Sequence, residues 1–482
     1  VKPSVAVIGS GFGGLAAVIE LKKQGFDDIV VFEKADEVGG VWRENTYPGA
    51  ACDVPSPFYS YSFEPNPRWP HRFSRQPVIL DYIRHVADKY DVRRHIRFGT
   101  EVLGAAFDEA TGKWTVELST GEPVVVDVLV SAVGQLSRPA LPAIEGRDTF
   151  GGTSFHSAQW NHDVDLTGKR VAVIGTGASA IQFVPEIQPR VHALTLFQRT
   201  APYIIPRPDR EFSARHHRVF EKLPVTELAE RGTWYGVVEG LSLAWVYAKP
   251  LAAAIRAVSK WHMRRQTAAK PGLFEKVWPD YAIGCKRILF SDNYLPALAE
   301  PNAEVVTERI AEITPTGVRT ADGREHEVDV IIWGTGFKTT EFLAPMAVTG
   351  IGGHPLTEEW REGAHAYFGM TVPQFPNLFL MYGPNTNTGG GSIIYFLEAQ
   401  AKYLGRYVAH LAATGGALAV RREVEKAYDA RIQTELTSSV WSQCSSWYRQ
   451  ADGRITTNWP LLGIQYKKQA RFDPADYEVM AR

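Results

Sequence analysis

Cysteine is scarce in this chain: Cys52, Cys285 and Cys444 are its three, far apart, with no CxxC pair and no metal-ligand spacing. That scarcity argues against a disulfide-stapled scaffold, a zinc ribbon or a reductase working through a paired dithiol. The expectation is three reduced thiols, no metal, and a cytoplasmic protein. An excess of one charge is missing too. Lys and Arg number 52 against 53 Asp and Glu, a formal net charge of -1, so nothing electrostatic points to nucleic acid. No apolar run reaches the ~18 residues of a membrane span, and stable membrane insertion is not expected. The nearest approach, Gly240 to Val258, is broken by Lys249, Pro250 and Arg256. It reads as helix buried against a neighbouring domain, the alternative being a face resting on a membrane. No signal-peptide pattern precedes the first apolar strand.

What the chain does have is length for two or three domains, 482 residues at 45% apolar and 22% charged, a globular composition. It also repeats itself. Residues 5–9 and 171–175 both read VAVIG, a continuous apolar run suited to a parallel strand buried on both faces. The first runs into Gly9-x-Gly11-x-x-Gly14 and a helical stretch from Leu15 to Gln24. The second runs into Gly175-x-Gly177-x-x-Ala180 and a stretch from Ile181. In such turns the first glycine permits the reversal and the second lets backbone approach a pyrophosphate. The third small residue allows helix and strand to pack closely. The helix N-terminus then offers free N–H groups to phosphate. Strand before and helix after each turn is the context that makes the motif informative.

The ends of the next strands separate the two sites. Ile29 to Phe32 ends at Glu33, whose carboxylate accepts from both ribose hydroxyls and repels a 2′-phosphate. That fits the adenosine of FAD, or of NAD. Leu194 to Gln198 ends at Arg199 and Thr200, and a guanidinium there favours the 2′-phosphate of NADPH.

The predicted fold class is α/β, two Rossmann-like dinucleotide-binding domains with the NADPH domain inserted into the FAD domain. Leu129 to Gly134 is predicted as the outgoing strand and 328–337, with Gly336 near its end, as the returning one. Both end in glycine, where a bulky side chain would collide with a dinucleotide. The expected boundaries are 1–145 and 327–482 for the FAD domain and 150–325 for the NADPH domain, with a helical insertion at about 210–280. Glu325 to Asp329 and Ser137 to Gly152 are the expected hinges. Lys113 to Leu118 alternates like a strand of a small antiparallel sheet.

Two longer motifs carry a family resemblance. Phe150, Gly152, His156 and Trp160 match the linker fingerprint F-x-G-x-x-x-H-x-x-x-W, with Asn161 departing from the Pro or Asp that follows it. Gly39, Gly40, Trp42, Tyr47, Pro48, Gly49 and Asp53 match G-G-x-W-x4-[FY]-P-G-x3-D in full. GCKR at 284–287, FPNLF at 375–379, GPNT at 383–386 and SSWY at 445–448 extend the match along nearly the whole chain. The chain thus resembles a type I Baeyer–Villiger monooxygenase, within the flavin-containing monooxygenases.

The resemblance implies that NADPH reduces FAD and that O2 then gives a C4a-peroxyflavin, which converts a ketone to an ester or lactone. It implies that Arg287 supplies positive charge at the reacting centre and that Asp53 orients it. Lys286 would join Arg199 and Thr200 on the 2′-phosphate, and Trp447 would lie on a loop closing over the nicotinamide nucleotide. His156 and Trp160 would position the two domains. Gly40 and Trp42 would belong to the flavin site, and the glycine-rich stretch Thr388 to Gly391 would lie where flavin and substrate meet. A flavin monooxygenase oxygenating the sulfur of a thioether or the nitrogen of an amine is the alternative, kept open by Asn161. The substrate's identity and the oligomeric state are not written in these residues.

Overall fold

The computed structural model describes residues 2–246, 249–388, 390–443, 448–450 and 452–480, with backbone alone for residue 246. Two parallel five-stranded sheets organise it. In the first, the order is Leu378–Leu380, Val128–Ser131, Val5–Ile8, Ile29–Phe32 and Ile96–Arg97. In the second it is Ala303–Val306, Ala193–Phe197, Arg170–Ile174, Val330–Trp333 and Thr153–His156. Both VAVIG repeats lie inside these sheets with their apolar side chains buried. That is the environment a continuous apolar strand needs, because helices and neighbouring strands must cover both faces. The helix after the first turn, Phe12–Lys23, buries Leu15, Val18 and Ile19 and packs on Ile393–Thr414.

One topological expectation is corrected. Val330–Trp333 does not return the chain to the first sheet. It lies beside Arg170–Ile174 in the second sheet, with Val330 opposite Val171 and Trp333 opposite Ile174. The strand that rejoins the first sheet is Leu378–Leu380, beside Val128–Ser131. An apolar strand ending in glycine satisfies either sheet, so the pattern alone does not say which one it joins. What fixes the choice is polar. Asp329, just before the strand, accepts from the Arg170 backbone N–H at 2.7 Å and from its Nη2 at 2.8 Å. Gly336 consequently lies off the end of the second sheet. Glu325–Glu327, in the expected hinge, is itself a strand, paired antiparallel with Gly317–Thr320.

Between residues 210 and 280 lie the helices Ala214–Lys222, Pro224–Val246, Lys249–Thr267 and Leu273–Val277. Lys113–Leu118 is a strand of a four-stranded sheet, and Trp114 is buried beneath it. Cys52 is a buried free thiol, whereas Cys285 is disulfide-bonded, which corrects the expectation of three reduced thiols.

Candidate active site

The first glycine turn meets a second pair of glycines. A Cβ on Gly11 would come within 3.5 Å of the Gly40 Cα, and Gly39 N–H donates to the Ser10 carbonyl at 3.2 Å. Only backbone separates the two segments. Glu33 sits buried at the end of its strand. Its Oε2 accepts from Ser10 N–H at 3.0 Å and Ser10 Oγ at 2.7 Å, and its Oε1 accepts from Ala35 N–H at 3.0 Å. Arg43 Nη1 lies 3.4 Å away. The carboxylate is therefore fixed against the turn itself. Gly134 beyond the outgoing strand has open space where a side chain would stand. The neighbouring Ser131 Oγ and Gln135 Oε1 are buried with no hydrogen-bond partner among the described residues. Buried polar atoms rarely stay unpaired. Open backbone, a fixed carboxylate and these atoms fit a dinucleotide such as FAD.

The second turn is tighter. Gly175 has φ +110, and a Cβ there would overlap the Gly334 carbonyl oxygen, whereas Gly177 has nothing within 4 Å. Ala180 is fully buried and opens the helix Ala180–Ile187. Gly175→Ala is therefore expected to destabilise the fold by at least roughly 1–3 kcal/mol, the cost of a strained backbone, seen as a lower Tm. Gly177→Ala should leave Tm unchanged and weaken NADPH binding, measured by titration; equal Tm loss in both would overturn the distinction.

Thr176 Oγ donates to the Thr200 carbonyl at 2.9 Å, tying this turn to the Arg199–Thr200 pair. Arg199 is exposed and forms no ion pair among the described residues. Lys286 is held close enough that burial first, and then the Arg199 charge, lower its pKa. Its Nζ sits 4.9 Å over the Tyr281 ring. Two cations close enough for the Arg199 charge to lower the Lys286 pKa despite the Asp280 charge fit a phosphate dianion.

The matched motif at residues 39–53 bridges the two turns. Its glycine pair faces the first turn, and its far end docks on the helix after the second. Gln182 of that helix accepts from Tyr47 Oη at 3.0 Å and Ala51 N–H at 3.2 Å, and donates to the Ala51 carbonyl at 3.0 Å. Gly49, with φ +78, leaves room for the Gln182 carbonyl, which a Cβ would approach to 2.6 Å. This docking delivers Asp53 to Arg287. Arg287 Nε donates to Asp53 Oδ2 at 2.7 Å and Nη2 to Oδ1 at 2.8 Å, a bidentate pair only partly open to solvent. Burial works against the arginine charge, but the Asp53 charge and hydrogen bonds outweigh it and hold the pKa above the ordinary value.

Tyr382 and Tyr448 feel the Arg287 charge, and Tyr59 lies within reach of Cys52, Tyr382 and Asp53. Burial pushes all three phenols up, Tyr448 to about 12. They remain neutral donors at working pH. Tyr59 Oη also accepts from Trp42 Nε1 at 3.1 Å, which places Trp42 on the same aromatic wall. Gln182, Tyr59 and Tyr382 have no spacing that marks them in sequence, whereas Tyr448 closes the SSWY segment at 445–448. Gln182 is, with Glu186, one of two polar residues on a mostly apolar helix, the only signal it leaves.

His156 and Trp160 occupy the connection between the units. His156 Nδ1 accepts from Ala158 N–H at 3.0 Å, and burial lowers its pKa, which leaves a neutral structural imidazole. Trp160 packs on Phe155 and on Phe183 of the helix after the second turn. Gly336 lies beside His156, off the second sheet and away from the first turn. Trp447 falls outside the described residues. A cavity beside Thr388 and Gly391 is walled by Phe58, Ser242, Tyr395 and Trp459, so the helix Pro224–Val246 contributes to it.

The family model for flavin-binding monooxygenase-like proteins matches residues 2–214. A Baeyer–Villiger monooxygenase of Streptomyces coelicolor is 45% identical over 99% of this chain and 92% of its own length. One of Pseudomonas aeruginosa is 44% identical over 98% and 91%. Among solved structures, an oxidised steroid monooxygenase bound to NADP superposes with a TM-score of 0.87 at 31% identity, covering 99% of both chains. A monooxygenase called OTEMO, in complex with FAD and NADP, gives 0.88 at 27% over 99% of this chain and 100% of that one. With that identity across almost its full length, the chain belongs to the Baeyer–Villiger monooxygenases within the flavin-binding monooxygenase-like family.

Proposed function

We propose that this FAD-containing, NADPH- and O2-dependent monooxygenase inserts one oxygen atom beside the carbonyl of a ketone, giving an ester or lactone. The observation that carries this reading is the bidentate Asp53–Arg287 pair at the meeting point of the two nucleotide turns. FAD, when bound, supplies the relay of electrons from NADPH and the activation of O2. The chain's own residues do the rest. Gly9, Gly11, Gly14, Glu33, Gly40 and Trp42 seat FAD. Gly175, Gly177, Ala180, Arg199, Thr200 and Lys286 seat NADPH. Gly336, off the end of the second sheet, is read as belonging to the NADPH side of the connection.

Arg287 carries five N–H donors, and Asp53 takes two of them. Among the described residues the remaining donors make no hydrogen bond, and the guanidinium, charged at any working pH, is positioned to hold negative charge developing on oxygen. Because Asp53 fixes the plane of the guanidinium beforehand, no reorganisation is required at the moment of transfer. The neutral phenols of Tyr59, Tyr382 and Tyr448 surround the pair without adding charge that would compete for it. Asn161, the departure from the family fingerprint, accepts from Asp163 N–H at 3.1 Å and closes a local turn. It does not reach the reacting pair, so no observation favours sulfur or nitrogen oxygenation.

Product analysis over cyclic, linear and aromatic ketones beside a thioether and an amine tests the reading. Esters or lactones from at least one ketone are expected. Sulfoxide or N-oxide with no ester from any ketone would reverse it. Among the described residues no single helix is long and apolar enough to cross a membrane. The cytoplasm is the proposed compartment, on the strength of the nucleotide cofactors, since the cysteine argument for it has not survived.

A further inference from the structure

The helical insertion carries an uncovered apolar surface. Of the 14 exposed large hydrophobic side chains in the described residues, nine fall between Val219 and Trp261. Such clustering separates this region from the scattered exposed apolar residues of an ordinary surface. On the helix Pro224–Val246 the charged residues Glu227, Glu230, Arg231 and Glu239 are buried or half-buried, while Val225, Leu228, Val237 and Leu243 are exposed. Among its described residues, none of the charged side chains on this helix is fully exposed. The charges are spent inward: Arg231 Nη1 donates to the Pro57 and Ser60 carbonyls, and Glu239 accepts from Gly463 N–H.

The next helix, Lys249–Thr267, adds a sign. Leu251, Ala254, Val258 and Trp261 recur at helical spacing along one exposed stripe. Five Lys and Arg lie on this helix, Lys249, Arg256, Lys260, Arg264 and Arg265, and no Asp or Glu. Among the described residues none of the five forms an ion pair. Arg265 instead stacks over the Trp261 ring at 5.7 Å.

We propose that this face rests on a bilayer surface carrying anionic headgroups, with Leu251, Val258 and Trp261 in the acyl boundary and Arg264 and Arg265 among the headgroups. Apolar stripe, aromatic anchor and the flanking Arg264 and Arg265, with Arg256 and Lys260 turned instead toward Trp278, together make an interfacial helix. The charge decides between occupants. A second copy meeting this stripe through a twofold axis would set Arg264 and Arg265 against their own copies, with no Asp or Glu on either helix. An anionic surface removes that repulsion. No single helix here has the length and composition of a span; these two helices reach it only together, as a sharply bent pair, and the proposal is a resting contact along their exposed face.

The test is co-sedimentation of the full-length, FAD-loaded protein with vesicles of phosphatidylcholine, alone or with phosphatidylglycerol. The protein should pellet with the anionic vesicles and be released by salt, because headgroup attraction is screened over a Debye length. Arg264→Glu with Arg265→Glu should lower the partition coefficient at least about tenfold, and Val258→Ser with Trp261→Ser should do the same on exposed, non-catalytic positions. Tm and flavin absorbance verify that each variant is folded. Absent binding, equal binding to both vesicle types, or unchanged binding by the variants would overturn the proposal. So would a concentration-dependent dimer in light scattering that Trp261→Ser dissolves, which assigns the face to a second copy.

Discussion

Arg287→Ala is expected to cut oxygenated product by roughly 10²–10³, the cost of removing one preorganised donor to a developing oxyanion. Reduction of the flavin by NADPH should persist. The separation follows from geometry. Arg287 reaches the site through Asp53, on the segment that bridges the two turns, and neither nucleotide turn depends on it for its own backbone shape. The variant should therefore bleach under NADPH and consume O2 while releasing hydrogen peroxide in place of ester. Arg287→Lys should recover little, since an ammonium cannot make the two-pronged contact that fixes the guanidinium plane. Asp53→Asn should sit between them: it keeps one hydrogen-bond acceptor but loses the charge that holds the Arg287 pKa up against burial. Product yield per NADPH, measured by chromatography with a peroxide assay, checks the series. Ester yield near wild type in Arg287→Ala would move the charge-holding role to another residue.

Much of this site is legible from residues 5–53 alone. The VAVIG strand, its turn and Glu33 all occupy the expected places, because each rests on a local rule: apolar run, glycine at a reversal, acid at a strand end. The motif at 39–53 is legible as a pattern but not as a device. Its spacing gives no hint that Gly49 makes room for a helix carbonyl from the other nucleotide unit, or that Gln182 grips Ala51 there. Those contacts join residues more than 130 apart, and a lone glutamine carries no periodic signature. The misplacement of Val330–Trp333 has the same origin. Strand identity is local, whereas strand partner is decided by long-range pairing and here by the Arg170–Asp329 ion pair. Tyr59, Tyr382 and Tyr448 likewise converge only in three dimensions.

The nucleotide preference yields the second large effect. Arg199→Ala and Lys286→Ala should each raise the KM for NADPH by roughly 10- to 150-fold, the range for one charge-assisted hydrogen bond of about 1.5–3 kcal/mol. The KM for NADH should hardly move, since NADH has no 2′-phosphate. The two losses should not add, because the residues already interact: the Arg199 charge is among the causes that lower the Lys286 pKa. Removing Arg199 relieves that repulsion, so Lys286 becomes a better-charged single contact, part of the single Arg199 loss is offset, and the double loss should exceed the sum of the two singles. A pH signature follows from the sign. A lysine with a lowered pKa sheds its proton earlier as pH rises, so the wild-type KM for NADPH should climb at lower pH than the Arg199→Ala KM does. Steady-state kinetics with both nucleotides across the alkaline range reads all three effects. Equal rises for NADPH and NADH would remove the 2′-phosphate from this pair. An unshifted alkaline limb in Arg199→Ala would show that the two cations do not share one anion.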